Sequence, residues 1–168
     1  MVLALQKPQS ISALIAVDNA PVDAALSPDF AKYIQAMQSI ESAGLTKSSE
    51  ADQILQEYEK ALPIRQFLLT NLVRLPGTHI LGFRIPVKTL AAALVDMAGF
   101  PFSEQDGLTY EGPALFIRGS RSHYVKDSTL PSIQRFFPNY QLRDVSAGHW
   151  VMAENPEAFK RVVVDFLQ

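Results

Sequence analysis

The pattern of apolar and polar positions divides the chain into strand-and-helix segments at both ends and a long helical stretch between them. Residues 12–18 form a short apolar run without polar alternation, typical of a strand buried on both faces of a parallel sheet. Residues 112–119 repeat this pattern, and residues 140–146 alternate apolar with polar positions, as a strand near a sheet edge does. The order strand, helical block, strand, helix, strand, loop, helix indicates an α/β sheet with one large insertion.

Residues 27–107 have a different character, with apolar side chains at helical spacing and no clear strand pattern. The sequence Ser27-Pro28-Asp29 is typical of a helix start, with an N-cap, a proline and an acid in the first turn. Gly44 would end this helix. Three further helices are predicted: one from Ser49, one over residues 63–75 and one over residues 87–99. The block is therefore expected to be all-helical.

These changes of pattern predict three parts along the chain. Residues 1–26 form a core piece with a helix end, a strand and an acidic turn. Residues 27–107 form a helical insertion, which the family resemblance described below implies is a lid or cap, and residues 108–168 form a second core piece that carries a histidine loop. The predicted fold class is α/β.

Composition narrows the class of protein. With 48% hydrophobic and 19% charged residues, the 168-residue chain has the make-up of an ordinary globular protein with a core. Its net charge is −2 and no basic block interleaves with aromatic residues, so no nucleic acid partner is expected. There is no cysteine, which excludes disulfides and thiolate chemistry. No apolar run approaches the roughly 20 residues that span a bilayer, so no transmembrane segment is expected.

Three histidines are the candidates for catalytic chemistry. His79 lies between two predicted helices and is expected to be structural or exposed, while His123 lies in a polar loop. His149 follows a predicted strand, in a loop that Gly148 opens ahead of the final helix. Ligands of open α/β sheets bind beyond the carboxyl ends of the strands, so a histidine there can face a substrate while an acid holds its other nitrogen. The histidines are scattered and lack carboxylates at ligand spacing, so no metal site is expected.

Several segments resemble one known family. The sequence Gly148-His149-Trp150-Val-Met-Ala-Glu154-Asn-Pro156 is similar to the histidine motif of α/β-hydrolases, and residues 113–125 are similar to the strand and loop before it. A narrower subfamily, the short-acyl esterases and yeast ethanol acetyltransferases, is resembled by three further segments: Val17-Asp18-Asn-Ala-Pro21, Phe83-Arg84-Ile85-Pro86 and Ser122-His-Tyr-Val125. The resemblance covers essentially the whole chain. It implies the C-terminal portion of an α/β-hydrolase fold, with three parallel strands and a helical lid insertion.

The resemblance also indicates which acid would hold His149. Many α/β-hydrolases place the acid in a Gly-x-x-Asp loop, but here that loop is Gly119-Ser-Arg-Ser122, with serine at the last position. Asp127 is nearby and has the sequence context of a helix N-cap. In the subfamily the acid instead follows the strand after the nucleophile, which corresponds to Asp18. The alternative is that Asp18 only forms a turn with Asn19.

The nucleophile of the family is missing from these 168 residues. It would be a serine in Gly-x-Ser-x-Gly on a turn between a strand and a helix, and no such pattern occurs here. Residues 1–7 resemble the rest of the helix after that turn, so the serine is expected a few residues upstream of Met1. The strand at 12–18 would then have an unpaired apolar edge. Such an edge favours association with another chain and marginal stability.

The resemblance implies that this chain is a fragment of a serine-dependent acyl enzyme, which acts on short acyl groups. Water as the acceptor gives an esterase or thioesterase, and ethanol gives an alcohol O-acetyltransferase that makes ethyl acetate from ethanol and acetyl-CoA. No cofactor is expected, since acetyl-CoA would enter as the acyl-donor substrate. Access for the acceptor would be lined by Phe83, Arg84, Ile85 and the helices around them.

The alternative is a non-catalytic remnant or an interaction protein. The parent family consists of enzymes, whereas the sequence leaves open whether this chain alone is one, because the nucleophile is absent. The family implies a mitochondrial location, or the cytoplasm where a presequence is lost. The first five residues, from Met1 to Leu5, are too short and too uncharged for a signal or transit peptide.

Overall fold

The computed structural model describes residues 1–23 and 28–168, with the side chains of Pro28 and Val95 outside this description. The elements in chain order are α1 (Val2–Gln6), β1 (Leu14–Val17), α2 (Pro28–Ala43), α3 (Ser48–Tyr58), α4 (Leu62–Leu69), β2 (Leu72–Arg74), β3 (Leu81–Phe83), α5 (Val87–Ala98), β4 (Ala114–Gly119), α6 (Leu130–Phe136), β5 (Tyr140–Val145), α7 (Val151–Glu154) and α8 (Pro156–Leu167). They fall into two compact units, Met1–Ala24 with Gly99–Gln168, and Ala25–Ala98.

A parallel three-stranded sheet in the order β1-β4-β5 organises the first unit. Leu14 of β1 is opposite Ala114 of β4, and Ala114 is opposite Tyr140 of β5. Because the strands are parallel, their carboxyl ends lie at the same edge of the sheet. The predicted α/β fold class with three parallel strands is confirmed.

The central strand β4 is buried on both faces, which explains its continuous apolar sequence. On one face, Phe116 packs in a cluster with Ile133 and Phe136 of α6. On the other face, Leu115 and Ile117 pack with an apolar stripe of α8: Phe159, Val162, Val163 and Phe166. Among the described residues β5 pairs on one side only, as its alternating pattern predicts.

The second unit is helical with a small antiparallel hairpin, so the expectation of an all-helical block is wrong. β2 and β3 pair with Leu72 opposite Phe83. The predicted helix over 63–75 stops at Leu69, and the chain reverses at Pro76-Gly77, where Gly77 takes a φ of 73°. A short apolar run fits helix or strand spacing equally well, and here the tight turn decides the outcome.

The helices of the second unit surround a core around Ala36, Ile40 and Leu55. α2 begins at Pro28, and its predicted N-cap, Ser27, lies outside the described residues. Within the described ranges, no helix is both long enough and apolar enough to cross a membrane.

Candidate active site

Asp18 directly follows β1 at the carboxyl edge of the parallel sheet. Its backbone N–H donates to the Ile117 carbonyl at 2.7 Å, which extends the pairing with β4 by one residue. The chain then turns sharply, because Asp18 has a φ of 47°. Aspartate tolerates this left-handed conformation better than most residues. The turn leaves the carboxylate among the strand ends, where only 1% of the residue is exposed.

Three donors converge on the Asp18 carboxylate. The backbone N–H of Gly119 donates to Oδ1 at 3.1 Å, and the Ser122 hydroxyl donates to Oδ2 at 2.5 Å. His149 Nδ1 lies 2.7 Å from the same Oδ2. An ionised carboxylate only accepts hydrogen bonds, so these contacts satisfy Asp18 at a position where the residue itself is buried.

His149 has one nitrogen fixed and one available. Because the carboxylate accepts, Nδ1 carries the proton, and the neutral ring then offers the lone pair of Nε2. Among the described residues, no hydrogen bond to Nε2 is formed. The side chain is 37% exposed. The ring of Tyr124 lies against it, with centroids 4.2 Å apart, which restricts its rotation.

A glycine at the end of β4 lets the acid and the histidine meet. A Cβ atom on Gly119 would lie 2.1 Å from the carbonyl oxygen of Gly148, the residue before His149. No side chain fits at that distance. Since Gly119 also donates its N–H to Asp18, it touches the site on both sides.

The other sequence candidates lie elsewhere. Asp127 forms an ion pair with Arg118 at 2.6 Å, and it is the first residue of a short 3-10 helix whose N-cap is Lys126, so the expected N-cap role of Asp127 is wrong. His79 is exposed in the β2–β3 turn beside Arg74, and His123 is exposed in the loop after β4. The described residues contain no cluster of three or more His, Asp or Glu that could hold a metal ion.

The three residues expected to line acceptor access lie within the second unit. Phe83 is buried in that unit's core, and Arg84 donates to the side chain of Asn71 at 3.1 Å. Ile85 is partly buried against the same core. Their role in access stays a prediction.

Sequence reasoning missed the part played by Ser122. It noted only that serine replaces the usual acid in this loop. In the structure the Ser122 hydroxyl orients the acid that comes from β1. The sequence did carry a signal for this role: Ser122 stands where many α/β-hydrolases have the acid, and a serine there can donate a hydrogen bond to an acid that comes from another strand.

A parallel sheet whose strand ends bring an acid and a histidine into hydrogen-bond contact is the arrangement found in one class of protein, the α/β-hydrolases. The comparisons agree with this class: the chain has the fold of a C-terminal portion of an α/β-hydrolase, and it is similar along its length to abhydrolase-domain proteins and yeast alcohol acetyltransferases. No model of a protein family matches the chain.

Curated relatives match along essentially the whole chain. An abhydrolase domain-containing protein of Schizosaccharomyces pombe is 38% identical over 99% of this chain and 62% of its own length. A probable alcohol acetyltransferase of Saccharomyces cerevisiae is 37% identical over 100% of this chain and 53% of its own. The sn-1-specific diacylglycerol lipase ABHD11 of Mus musculus is 38% identical over 99% and 54%. The chain thus spans 53% to 62% of the length of these relatives.

Solved structures confirm the fold. A marine microorganism esterase superposes with a TM-score of 0.86 at 25% identity, over 98% of this chain and 64% of that one. An enol-lactonase of Burkholderia xenovorans superposes with a TM-score of 0.59 at 15% identity, over 99% and 60%, and supports the fold alone.

Proposed function

We propose that this chain supplies the histidine and the acid of a serine-dependent acyl-transfer site. A serine attacks the carbonyl carbon of a short acyl ester or thioester, and His149 Nε2 takes the serine's proton. The imidazolium then returns this proton to the leaving alcohol or thiol, and the acyl group remains on the serine as an ester. His149 next deprotonates the acceptor, water or an alcohol, which attacks the carbonyl carbon of that ester. The bond to the serine oxygen breaks, and the imidazolium gives its proton to this oxygen, which restores the serine and the neutral histidine.

The observation that carries this proposal is the 2.7 Å contact between His149 Nδ1 and the buried Asp18 carboxylate. The contact fixes the tautomer in which Nε2 can act as a base. It also stabilises the imidazolium that forms when Nε2 takes a proton, because the carboxylate is negative and shielded from water. The Gly119 N–H and the Ser122 hydroxyl hold this carboxylate in place, so the acid is positioned for His149.

The proposal takes the nucleophile from outside these 168 residues. The sequence contains no Gly-x-Ser-x-Gly, and neither Ser120 nor Ser128 stands on such a turn. Ser122 is engaged as a donor to Asp18. The relatives that the chain matches are roughly twice as long, so they have room for such a segment.

The chemistry of the relatives supports ester substrates. Their names include an alcohol acetyltransferase, a diacylglycerol lipase and an esterase, activities that all move an acyl group to or from an oxygen atom. We propose short acyl esters as substrates of the whole protein. Acetyl-CoA with ethanol is the acetyl-transfer pair, and no cofactor takes part in the chemistry.

Hydrolysis of p-nitrophenyl acetate and formation of ethyl acetate from acetyl-CoA and ethanol test the proposal. The DNA upstream of the Met1 codon is sequenced first, to look for an in-frame Gly-x-Ser-x-Gly. The protein used in the assays then includes this upstream sequence. We expect His149→Ala and Asp18→Asn each to lower kcat on the order of 10⁴-fold. His123→Ala, an exposed histidine of the loop after β4, is the control and should retain wild-type turnover.

Two results would contradict the proposal. One is turnover that survives His149→Ala. The other is a frameshift or stop upstream with no serine motif, together with turnover by the 168-residue chain that His149→Ala abolishes. The chain alone is expected to be inactive. An upstream stop with no turnover at all would support the alternative, a non-catalytic remnant.

A further inference from the structure

A carboxylate outside the Asp18–His149 pair holds the loop that carries His149. This histidine loop, residues 146–150, runs from the end of β5 to the start of α7. Glu154, the last residue of α7, folds back so that its Oε2 accepts the backbone N–H of Gly148 at 2.9 Å. Gly148 immediately precedes His149. The carboxylate therefore fixes the peptide from which the histidine side chain projects.

Arg121, in the loop after β4, holds the same carboxylate and the histidine loop together. Its Nη2 donates to Glu154 Oε2 at 2.9 Å, and its Nη1 donates to the Ser146 hydroxyl at 3.3 Å. Its backbone N–H donates to the Ala147 carbonyl at 2.9 Å. Arg121 therefore contacts the histidine loop at two points, Ser146 and Ala147, and also contacts the Glu154 carboxylate that binds this loop.

Glu154 and Arg121 together form a clamp on the histidine loop, and Glu154 is in close contact with Gly148. A Cβ atom there would lie 2.8 Å from Glu154 Oε1, so the carboxylate packs directly against the backbone. The Gly148 N–H, and then the Arg121 guanidinium, lower the pKa of the Glu154 carboxyl below its ordinary value. The carboxylate therefore stays ionised, and able to accept both hydrogen bonds, at any pH where an ester assay is run.

The loop after β4 also reaches the acid of the pair. Arg121 is followed by Ser122, whose hydroxyl donates to Asp18 Oδ2. Of these two consecutive residues, Arg121 binds the histidine loop and Ser122 binds Asp18. We propose that Glu154 and Arg121 are positioning residues, which set the place of His149 relative to Asp18 and to the reacting serine. This inference rests on the acyl-transfer function proposed above.

The ion pair is too exposed to serve mainly for stability. The Arg121 side chain is 59% exposed and the Glu154 side chain 36% exposed, and pairs of this kind contribute little to unfolding free energy. A positioning role, in contrast, has a large effect on rate, since a small displacement of a catalytic group costs up to about 100-fold. The two roles are therefore separable by experiment.

The test measures kcat and KM for p-nitrophenyl acetate in the whole protein. We expect Glu154→Ala and Arg121→Ala each to lower kcat about 10-fold to 100-fold and to change KM by less than about 3-fold. Glu154→Gln keeps an acceptor oxygen for Gly148 and should recover most of the rate. The matched control is Glu157→Ala, which removes an exposed glutamate from the first turn of α8 and should leave kcat unchanged.

Amide hydrogen exchange gives a second readout that does not depend on turnover. We expect Glu154→Ala to speed exchange of the Gly148 N–H, with no change in the urea midpoint beyond that of Glu157→Ala. The proposal is overturned if exchange and kcat match the control, if exchange quickens while kcat does not fall, or if kcat falls only as far as the folded fraction does. If His149→Ala leaves turnover intact, the acyl-transfer function fails, and the Gly148 exchange alone still shows whether the clamp exists.

Discussion

Replacing Asp18 by asparagine should destabilise the protein because the amide cannot accept from all three donors. Asparagine keeps the size of aspartate and also tolerates the φ of 47°. In one orientation its NH₂ group faces the Ser122 hydroxyl and His149 Nδ1, and in the other it faces the Gly119 N–H. The orientation in which the NH₂ group faces the Gly119 N–H opposes the fewest donors to one another. Its cost is that the buried Gly119 N–H has no acceptor.

The magnitude follows from these contacts. An unsatisfied buried N–H costs about 1–3 kcal/mol, and the two remaining hydrogen bonds each lose roughly 1 kcal/mol when their acceptor is no longer charged. Relief from burying a carboxylate offsets part of this loss. We therefore expect Asp18→Asn to lower the free energy of unfolding by about 2 kcal/mol.

Two further variants separate the side chain from the backbone. Asp18→Gly and Asp18→Ala both remove the carboxylate, but only alanine is strained at this φ, by about 1–2 kcal/mol. At an ordinary position alanine is more stable than glycine by roughly 0.5–1 kcal/mol. The sign should reverse here, with glycine the more stable of the two.

Urea unfolding followed by tryptophan fluorescence measures these differences. Trp150 is the single tryptophan of the chain and follows His149, so its emission reports on this site. Asp23→Asn is the control, because its exposed Oδ1 accepts the Phe100 N–H and the amide oxygen can replace it. The reasoning is refuted if Asp18→Asn unfolds within about 0.5 kcal/mol of wild type, or if alanine is more stable than glycine at position 18.

Two other predictions concern the ends of β4 and β5. Gly119→Ala should cost about 3 kcal/mol and change the Trp150 emission, because the new methyl group would overlap the Gly148 carbonyl; an unfolding curve like that of Ser120→Ala would contradict this. A hydrogen bond from Arg118 lowers the pKa of the Asp144 carboxyl in the folded state. The stability this pair adds is therefore present above the unfolded pKa of about 3.9 and is lost as the pH falls through the lower folded value. Since the Asp144 side chain is 53% exposed, the loss should stay below about 1 kcal/mol, and Asp144→Asn should show a shallower acid slope than wild type; equal slopes would refute it.

The meeting of Asp18 and His149 could be expected from the sequence because parallel strands end at one edge of the sheet. Their hydrogen-bond distance could not be expected, because β4 lies between β1 and β5. The two loops reach each other only where β4 ends in a residue without a side chain. Gly119 is visible in the sequence, but its contact with Gly148 depends on the order of the strands.

The hairpin and the loop hydrogen bonds of the structure could not be predicted from the sequence either, for two physical reasons. The β2–β3 hairpin was missed because three-residue strands carry too few positions to show a period. The hydrogen bonds of Ser122 and Glu154 join side chains to groups in other loops or to a nearby backbone amide. Such bonds depend on loop conformation, which spacing along the sequence does not specify.

The Ser122 contact supports the proposal that the acid follows β1 and does not lie in the loop after β4. A second carboxylate at position 122 would lie within hydrogen-bond distance of Asp18 Oδ2, and two like charges that close cannot both stay ionised. Serine removes the charge and supplies a donor instead. The same Oδ2 atom then accepts from Ser122 and His149, so the hydroxyl holds the carboxylate in the rotamer that the histidine needs. The acid role proposed for Asp18 therefore depends on an uncharged donor such as serine at position 122.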